Sequence, residues 1–141
     1  MKTFEELHCY QKAVEIRKKI SMIVKTFPSD ERYRLVDQMV RASRSAPSQI
    51  AEGYGRYHYQ KNAQYCRQGR GSLYELIDHL TAAREENYIT EETLGLLKGE
   101  ILEAIATLNG FINYLLKAKT QSNTNKVEEP LPTYGEFPFK N

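Results

Sequence analysis

The sequence predicts an all-α protein, an antiparallel up-down-up-down four-helix bundle. Apolar residues recur with helical spacing in four segments, short breaks separate the segments, and no run shows the two-residue period of a strand. The 141 residues suffice for one domain with a sizeable hydrophobic core. We expect the bundle to occupy residues 1–119. Residues 120–141, which are polar and then rich in proline, are expected to form an extended or disordered tail.

The first predicted helix covers residues 4–27 and ends before Pro28, which lacks the backbone N–H that a helix interior needs. Steps of four, three and four place one set of apolar residues on a single face. These residues are Ile16, Ile20, Ile23 and Phe27. Ser29 or Asp30 is expected to cap the second helix, because either side-chain oxygen accepts hydrogen bonds from its free N–H groups.

The second predicted helix combines an apolar stripe with arginines on nearly the opposite face. The stripe consists of Leu35, Met39, Ala42, Ala46 and Ile50. Pro47 should remove one backbone hydrogen bond and bend the helix. Gly53 and Gly55 are expected to end it, since glycine tolerates the left-handed backbone of a helix C-terminus. Glu52, in the same turn, is interpreted as structural, either pairing with an arginine or accepting backbone N–H groups.

The third and fourth predicted helices are joined by a turn at Asn87. In the third, residues 60–86, Gly69 and Gly71 cost helix propensity and therefore suggest close approach by a neighbouring helix. Thr90 is expected to cap the fourth helix. The apolar residues of the fourth helix alternate steps of three and four. They are Leu94, Leu97, Ile101, Ala104, Leu108, Phe111 and Leu115.

Composition favours a cytoplasmic protein without cofactors. No apolar run reaches the roughly 18 residues of a membrane span, and the first residues lack the apolar region of a secretion signal. Cys9 and Cys66 are interpreted as reduced thiols, with a pair between them as the alternative, and Cys66 is expected to be buried or half-buried. We expect no metal site and no catalytic residues. Glu75 and His79 are better explained as solvated helix charge than as metal ligands.

Charge is distributed unevenly along a chain whose net charge is only +2. Residues 1–76 hold 14 Lys/Arg against 8 Asp/Glu, and residues 77–141 hold 6 against 10. This asymmetry indicates an anionic partner for the first half, or subunits that meet through opposite charges, unless it is an ordinary mixed surface.

Basic and aromatic residues around the second turn predict RNA or DNA binding, because arginine binds phosphates and tyrosine stacks on unpaired bases. The candidates are Arg41, Arg44, Arg56, Lys61, Arg67 and Arg70. The alternative is that the arginines pair with carboxylates of this chain, such as Asp37, Glu52 and Glu75, or of another subunit.

Residues 46–56, Ala-Pro-Ser-Gln-Ile-Ala-Glu-Gly-Tyr-Gly-Arg, carry the most specific family resemblance. The chain resembles the four-helix-bundle family known from intervening sequences in bacterial large-subunit ribosomal RNA genes, a group that includes accessory variability proteins of diversity-generating retroelements. Further matching stretches lie at residues 11–13, 27–28, 31–35, 38–42 and 71–76, with Ala83, Tyr88 and Ile89.

The resemblance implies a non-enzymatic subunit of a homopentameric ring. It also implies nucleic-acid binding and association with a reverse transcriptase, as attributed to the retroelement members. Those members are typically more basic than this chain, so we expect its binding to be weak. Candidate subunit contacts are the extra apolar face of the first helix (Leu7, Tyr10 and Val14), together with Val36 and Val40. The alternative function is a protein-interaction scaffold whose arginines contact subunits or a partner.

Overall fold

The computed structural model describes residues 2–124, which contain four α-helices and no β-strand. The helices are α1 (His8–Ile23), α2 (Leu35–Tyr54), α3 (Tyr59–Glu85) and α4 (Glu91–Thr124). Short 3₁₀ turns lie at Phe4–Glu6, Val24–Thr26 and Ser29–Glu31. The all-α prediction is confirmed. Helix α4 continues beyond Lys119, where the bundle was expected to end, and the rest of the predicted tail lies outside the described residues.

The predicted apolar stripes form the core. Each helix buries one face, because its apolar residues recur close to the helical period. Fully buried side chains include Ile20 of α1, Met39 of α2, Leu80 of α3 and Phe111 of α4. In the α4 seam only Leu94 is partly exposed. Leu7 is also fully buried in this core, so it is not available for the subunit contact that its stripe suggested.

Each helix packs against two others, in the order α1–α2–α3–α4 and back to α1. Polar contacts mark the seams. Ser72 Oγ donates to Ser45 Oγ across α2–α3 at 2.9 Å, and Arg70 Nη1 donates to Asn109 Oδ1 across α3–α4 at 2.8 Å. Across α1–α4, salt bridges of 2.6 Å join Lys12 to Glu103 and Lys19 to Glu100. The lysine of each of these bridges comes from the basic first half of the chain and the glutamate from the acidic second half.

The predicted N-terminal cap is present at the start of α4 but not at the start of α2. Thr90 caps α4, since its Oγ1 accepts a hydrogen bond from the Thr93 N–H at 3.1 Å. The predicted cap of α2 by Ser29 or Asp30 is wrong. These residues form a 3₁₀ turn of their own after Pro28, and α2 begins later, with Arg34 as a cap residue that makes no side-chain cap hydrogen bond.

The glycines at the end of α2 act differently from the prediction. Gly55 is the cap residue at which α2 ends, as predicted, but neither glycine has the left-handed backbone expected of it, and Gly55 has φ −69°. Gly53 lies inside the helix and is buried. A Cβ added at this position would come within 2.8 Å of Asn62 Oδ1 and of Tyr65 Cβ. Gly53 is thus a point of close approach between α2 and α3. Pro47 is buried within α2, which continues beyond it to Tyr54.

The two helix-interior glycines of α3 also differ from each other. An added Cβ at Gly69 would lie 3.1 Å from the Ala46 carbonyl oxygen, which confirms close approach there. At Gly71 no atom lies within 4 Å, so the same prediction is wrong for that residue. Gly71 lies on the exposed side of α3, where its cost in helix propensity is offset by no packing.

Both cysteines are buried free thiols, which confirms the predicted burial of Cys66. Burial raises the pKa of Cys9 to about 12 and also raises the pKa of Cys66. The thiolate, which is the reactive form, is therefore suppressed at both positions. Among residues 2–124, no helix has both the length and the apolar character needed to cross a membrane.

Candidate nucleic-acid interface

The α2–α3 turn, the N-terminal segment and the last turns of the described α4 meet at one end of the protein. Tyr54 Oη donates to the Lys2 carbonyl oxygen at 3.3 Å, and the Tyr54 ring lies 6.4 Å from that of Phe4. Lys119 Nζ donates to Gln60 Oε1 at 2.8 Å, which joins α4 to the first turn of α3. We call this region the basic end and define it by Lys2, Arg56, Tyr57, His58, Lys61 and Lys119.

Arg56 is fixed in place by its neighbours at the basic end. Its Nη2 donates to Glu52 Oε1 at 2.7 Å and to Tyr65 Oη at 2.9 Å. The guanidinium also lies 5.2 Å from the centroid of the Tyr65 ring, within range of a cation–π interaction. The hydrogen bond to Glu52 raises the pKa of Arg56. The expected pairing of Glu52 with an arginine is present, and it partly neutralises the Arg56 charge.

Two further arginines of the predicted set are also engaged within the chain. Arg41 Nε lies 3.1 Å from Asp37 Oδ2, one turn earlier on α2. Arg70 is half-buried and donates to Asn109 of α4. The alternative of pairing within the chain therefore holds for Arg41 and Arg56. Glu75, proposed as another carboxylate partner, instead lies 3.0 Å from His79 Nε2 on its own helix.

The remaining three predicted residues are exposed cations. Arg44, Lys61 and Arg67 make no hydrogen bond or ion pair within residues 2–124. Lys61 lies in the first turn of α3, at the basic end, and Arg67 lies on the exposed side of α3 further along. Arg44 lies in the middle of α2. The predicted set therefore does not form one cluster, and Lys61 and Arg67 are its free members on α3.

A family model described as 23S rRNA-intervening sequence protein matches residues 5–110. The chain belongs to this family. The match contains all of α1, α2 and α3, and it includes the stretch 46–56 that carries the resemblance. A comparison with curated proteins found no match.

Two lysines of the basic end, Lys2 and Lys119, were not among the binding residues predicted from the sequence. Lys119 lies 59 positions after its partner Gln60, and Lys2 lies 52 positions before Tyr54. Neither separation follows a local pattern. The available signal was the order of the helices, since a short turn between α3 and α4 returns the chain toward the start of α3. Lys119 lies beyond the family match and Lys2 before it.

The other end of the protein is acidic. There the Phe27 and Tyr88 rings lie 5.3 Å apart, which joins the α1–α2 connection to the α3–α4 turn. Burial, followed by a hydrogen bond to Glu31, raises the pKa of Tyr88. Exposed carboxylates lie in the segments that meet here, Arg84 forms a 2.7 Å bridge to Glu91, and the exposed cations Lys25, Arg32 and Arg34 lie in the same α1–α2 connection. The carboxylates are those of Asp30, Glu85, Glu86, Glu91 and Glu92. This end therefore carries charges of both signs, with carboxylates in excess.

A shallow apolar groove runs between α1 and α4. Met22 and Leu96 line it, and each is 65% exposed. Lys18 and Glu100 lie on its rim and bring charges of both signs. Within the described part of the chain, no group of three or more His, Cys, Asp or Glu side chains is placed to hold a metal ion.

Proposed function

We propose that this protein is a non-enzymatic, self-associating helical protein that binds RNA or DNA weakly through its basic end. The observation that carries the proposal is the meeting of three segments that carry cations, namely the N-terminal segment, the α2–α3 turn and the end of the described α4, at one end of the protein. Lys61 has no partner within residues 2–124, and Lys119 is held only by a neutral amide. Lysine and arginine bind phosphate oxygens by charge and hydrogen bonding. The non-enzymatic and self-associating parts rest on the family resemblance.

We infer that the helices follow the antiparallel up-down-up-down order. Contacts between successive helices support this, because Gly53 lies beside Asn62 and Ser45 pairs with Ser72 as the chain reverses between α2 and α3. Between α3 and α4, Gln60 contacts Lys119 and Arg70 contacts Asn109. The contacted position moves backward along α4 as the chain advances along α3, which indicates the same reversal. This order brings the cations of α3 and α4 to the same end.

Binding through these few cations should be weak and strongly dependent on salt. Each phosphate that a protein neutralises on a single strand releases counterions and adds about 0.7 to the slope of log affinity against log salt. Removing two phosphate contacts should therefore lower the slope by about 1.4. The small net charge of +2 is consistent with a binding surface restricted to one region.

The test is a fluorescence anisotropy titration of labelled single-stranded RNA and DNA, starting at about 50 mM salt. The double variant Lys61→Glu/Lys119→Glu, which changes two lysines of the basic end, should bind at least about tenfold more weakly than the wild type, with a smaller salt slope. Lys25→Glu/Lys98→Glu is the matched control, because it makes the same charge change at two exposed lysines outside the basic end. We expect the control to retain its affinity within about threefold. Absence of wild-type binding at about 50 mM salt, or equal loss in both variants, would overturn the proposal.

The second candidate function is a scaffold built from copies of this chain, with a reverse transcriptase as the partner that the retroelement resemblance implies. The groove between α1 and α4 favours it, because Met22 and Leu96 leave apolar surface uncovered. The rim residues Lys18 and Glu100 are already paired within the chain, with Glu15 and Lys19, so the apolar side chains are the part of the groove that favours a second copy. The arginines would then contact other subunits in place of phosphates.

Light scattering tests self-association. We expect the wild type to have a multiple of the 16.3 kDa chain mass, five-fold for a pentamer, and Met22→Glu/Leu96→Glu to fall toward a single chain. Tyr33→Glu/Tyr74→Glu is the control, since it places the same two charges on exposed side chains outside the groove. A wild type with the mass of one chain would exclude self-association. Loss of assembly in Arg44→Glu would favour the scaffold over nucleic-acid binding.

A further inference from the structure

Tyr57, in the turn between α2 and α3, has an unusual backbone conformation. Its φ is 52°, in the left-handed region that a bulky side chain rarely adopts. Gly55, which would tolerate that conformation without strain, lies two residues earlier and has an ordinary right-handed one. The fold therefore places its strain on an aromatic residue, and strain of this kind occurs preferentially at functional positions.

The Tyr57 ring is available to a ligand. Its side chain is 54% exposed and makes no ring contact or hydrogen bond with another described side chain. Arg56 beside it is held away by Glu52 and Tyr65, so the neighbouring guanidinium does not cover the ring. Lys61, one turn into α3, supplies a free cation close in the sequence. An exposed aromatic face next to free cations is the combination that single-stranded nucleic-acid sites use.

Two other exposed tyrosines lack this combination. Tyr33 is close to the Arg32 guanidinium, 5.8 Å from its ring centroid, and lies at the acidic end. Tyr74 is 52% exposed, but its neighbour on α3 is Glu75. The Arg32 guanidinium occupies one face of the Tyr33 ring, and Glu75 beside Tyr74 would repel the phosphates that accompany any base. Of the three, only Tyr57 lies at the basic end.

We propose that Tyr57 stacks on an unpaired base of a single-stranded nucleic acid while Lys61 contacts an adjacent phosphate. Bases inside a duplex stack on one another and present no free face, so this site selects single strands over duplexes. The inference rests on the proposed nucleic-acid binding and adds the ligand class and the residue that recognises it.

A tryptophan at position 57 provides a direct test, because the chain contains no other tryptophan. Tyr57→Trp should lose fluorescence on titration with single-stranded oligothymidine, since stacking quenches the indole, and should change little with a duplex of the same length. Tyr74→Trp is the matched control, with similar exposure outside the basic end, and should change little with either ligand. Equal quenching of Tyr57→Trp by the duplex would overturn the selectivity.

Affinity measurements separate this inference from the proposed function. Tyr57→Gly, which relieves the backbone strain and removes the ring, should bind the single strand about 5- to 100-fold more weakly with an unchanged salt slope. Tyr57→Phe, which keeps the ring, should remain within about twofold. If Tyr57→Gly binds as tightly as the wild type while Lys61→Glu/Lys119→Glu does not, the stacking role fails and the proposed function stands. If the wild type binds no single strand, the stacking role and the proposed function both fail.

Discussion

The variant Ile101→Ala is expected to lower the free energy of unfolding by about 2–5 kcal/mol, the range for removing a large aliphatic side chain from a packed core. Ile101 is fully buried in the α4 seam, where it belongs to the single core cluster that all four helices form. Truncation removes apolar contacts and leaves a cavity that the surrounding side chains fill only in part. Urea unfolding followed by circular dichroism, at one fixed protein concentration, measures the change.

The adjacent residue supplies the control. Leu102 follows Ile101 on the same helix but points away from the seam and is 43% exposed. Leu102→Ala removes a similar side chain without opening a cavity, so we expect a change of about 1 kcal/mol or less. Equal losses in the two variants would mean that α4 does not present the face assigned to it, or that Leu102 is covered in an assembly.

The variant Gly53→Ala is expected to destabilise the protein by about 1–3 kcal/mol, although alanine is the better helix former. The added methyl group would come within 2.8 Å of Tyr65 Cβ and 3.0 Å of the Asn62 carbonyl oxygen. Neither atom is at the free end of a flexible side chain, so α2 and α3 must move apart to accommodate it. Thermal or urea unfolding would report the loss.

Gly71→Ala is the matched control for Gly53→Ala. Both glycines lie within helices, but an added Cβ at Gly71 meets no atom within 4 Å. The gain in helix propensity is then unopposed, and we expect stabilisation of about 0.5–1 kcal/mol. Opposite signs for the two variants are the decisive result. Stabilisation by both would contradict the close approach of α2 and α3.

The helices and their buried faces were predictable from the sequence because helix burial repeats every three to four residues. Ile20, Met39, Leu80 and Phe111 follow that repeat and are buried. The Thr90 cap was also predictable, since it depends on atoms three residues apart. These features are local, so neighbouring residues specify them.

The departures have non-local causes. Gly53 and Gly71 look alike in sequence, and only the position of the neighbouring helix shows that one is crowded and the other is not. The positive φ lies at Tyr57, two residues beyond the cap residue Gly55, and no local pattern distinguishes the two positions. At the candidate interface, Lys61 was identified from local composition, whereas Lys119 required the packing of α4 beside α3.

The separation of charge between the two ends changes what the net charge of +2 means for a binding partner. Helix α3 has 27 residues and, at 1.5 Å per residue, spans about 40 Å between the ends. At physiological ionic strength the screening length is about 8 Å, so a polyanion at the basic end does not sense the distant carboxylates. At about 0.01 M salt this length grows to about 30 Å, and the acidic end begins to oppose association. The excess of carboxylates at the far end should therefore weaken association with a polyanion only at low salt.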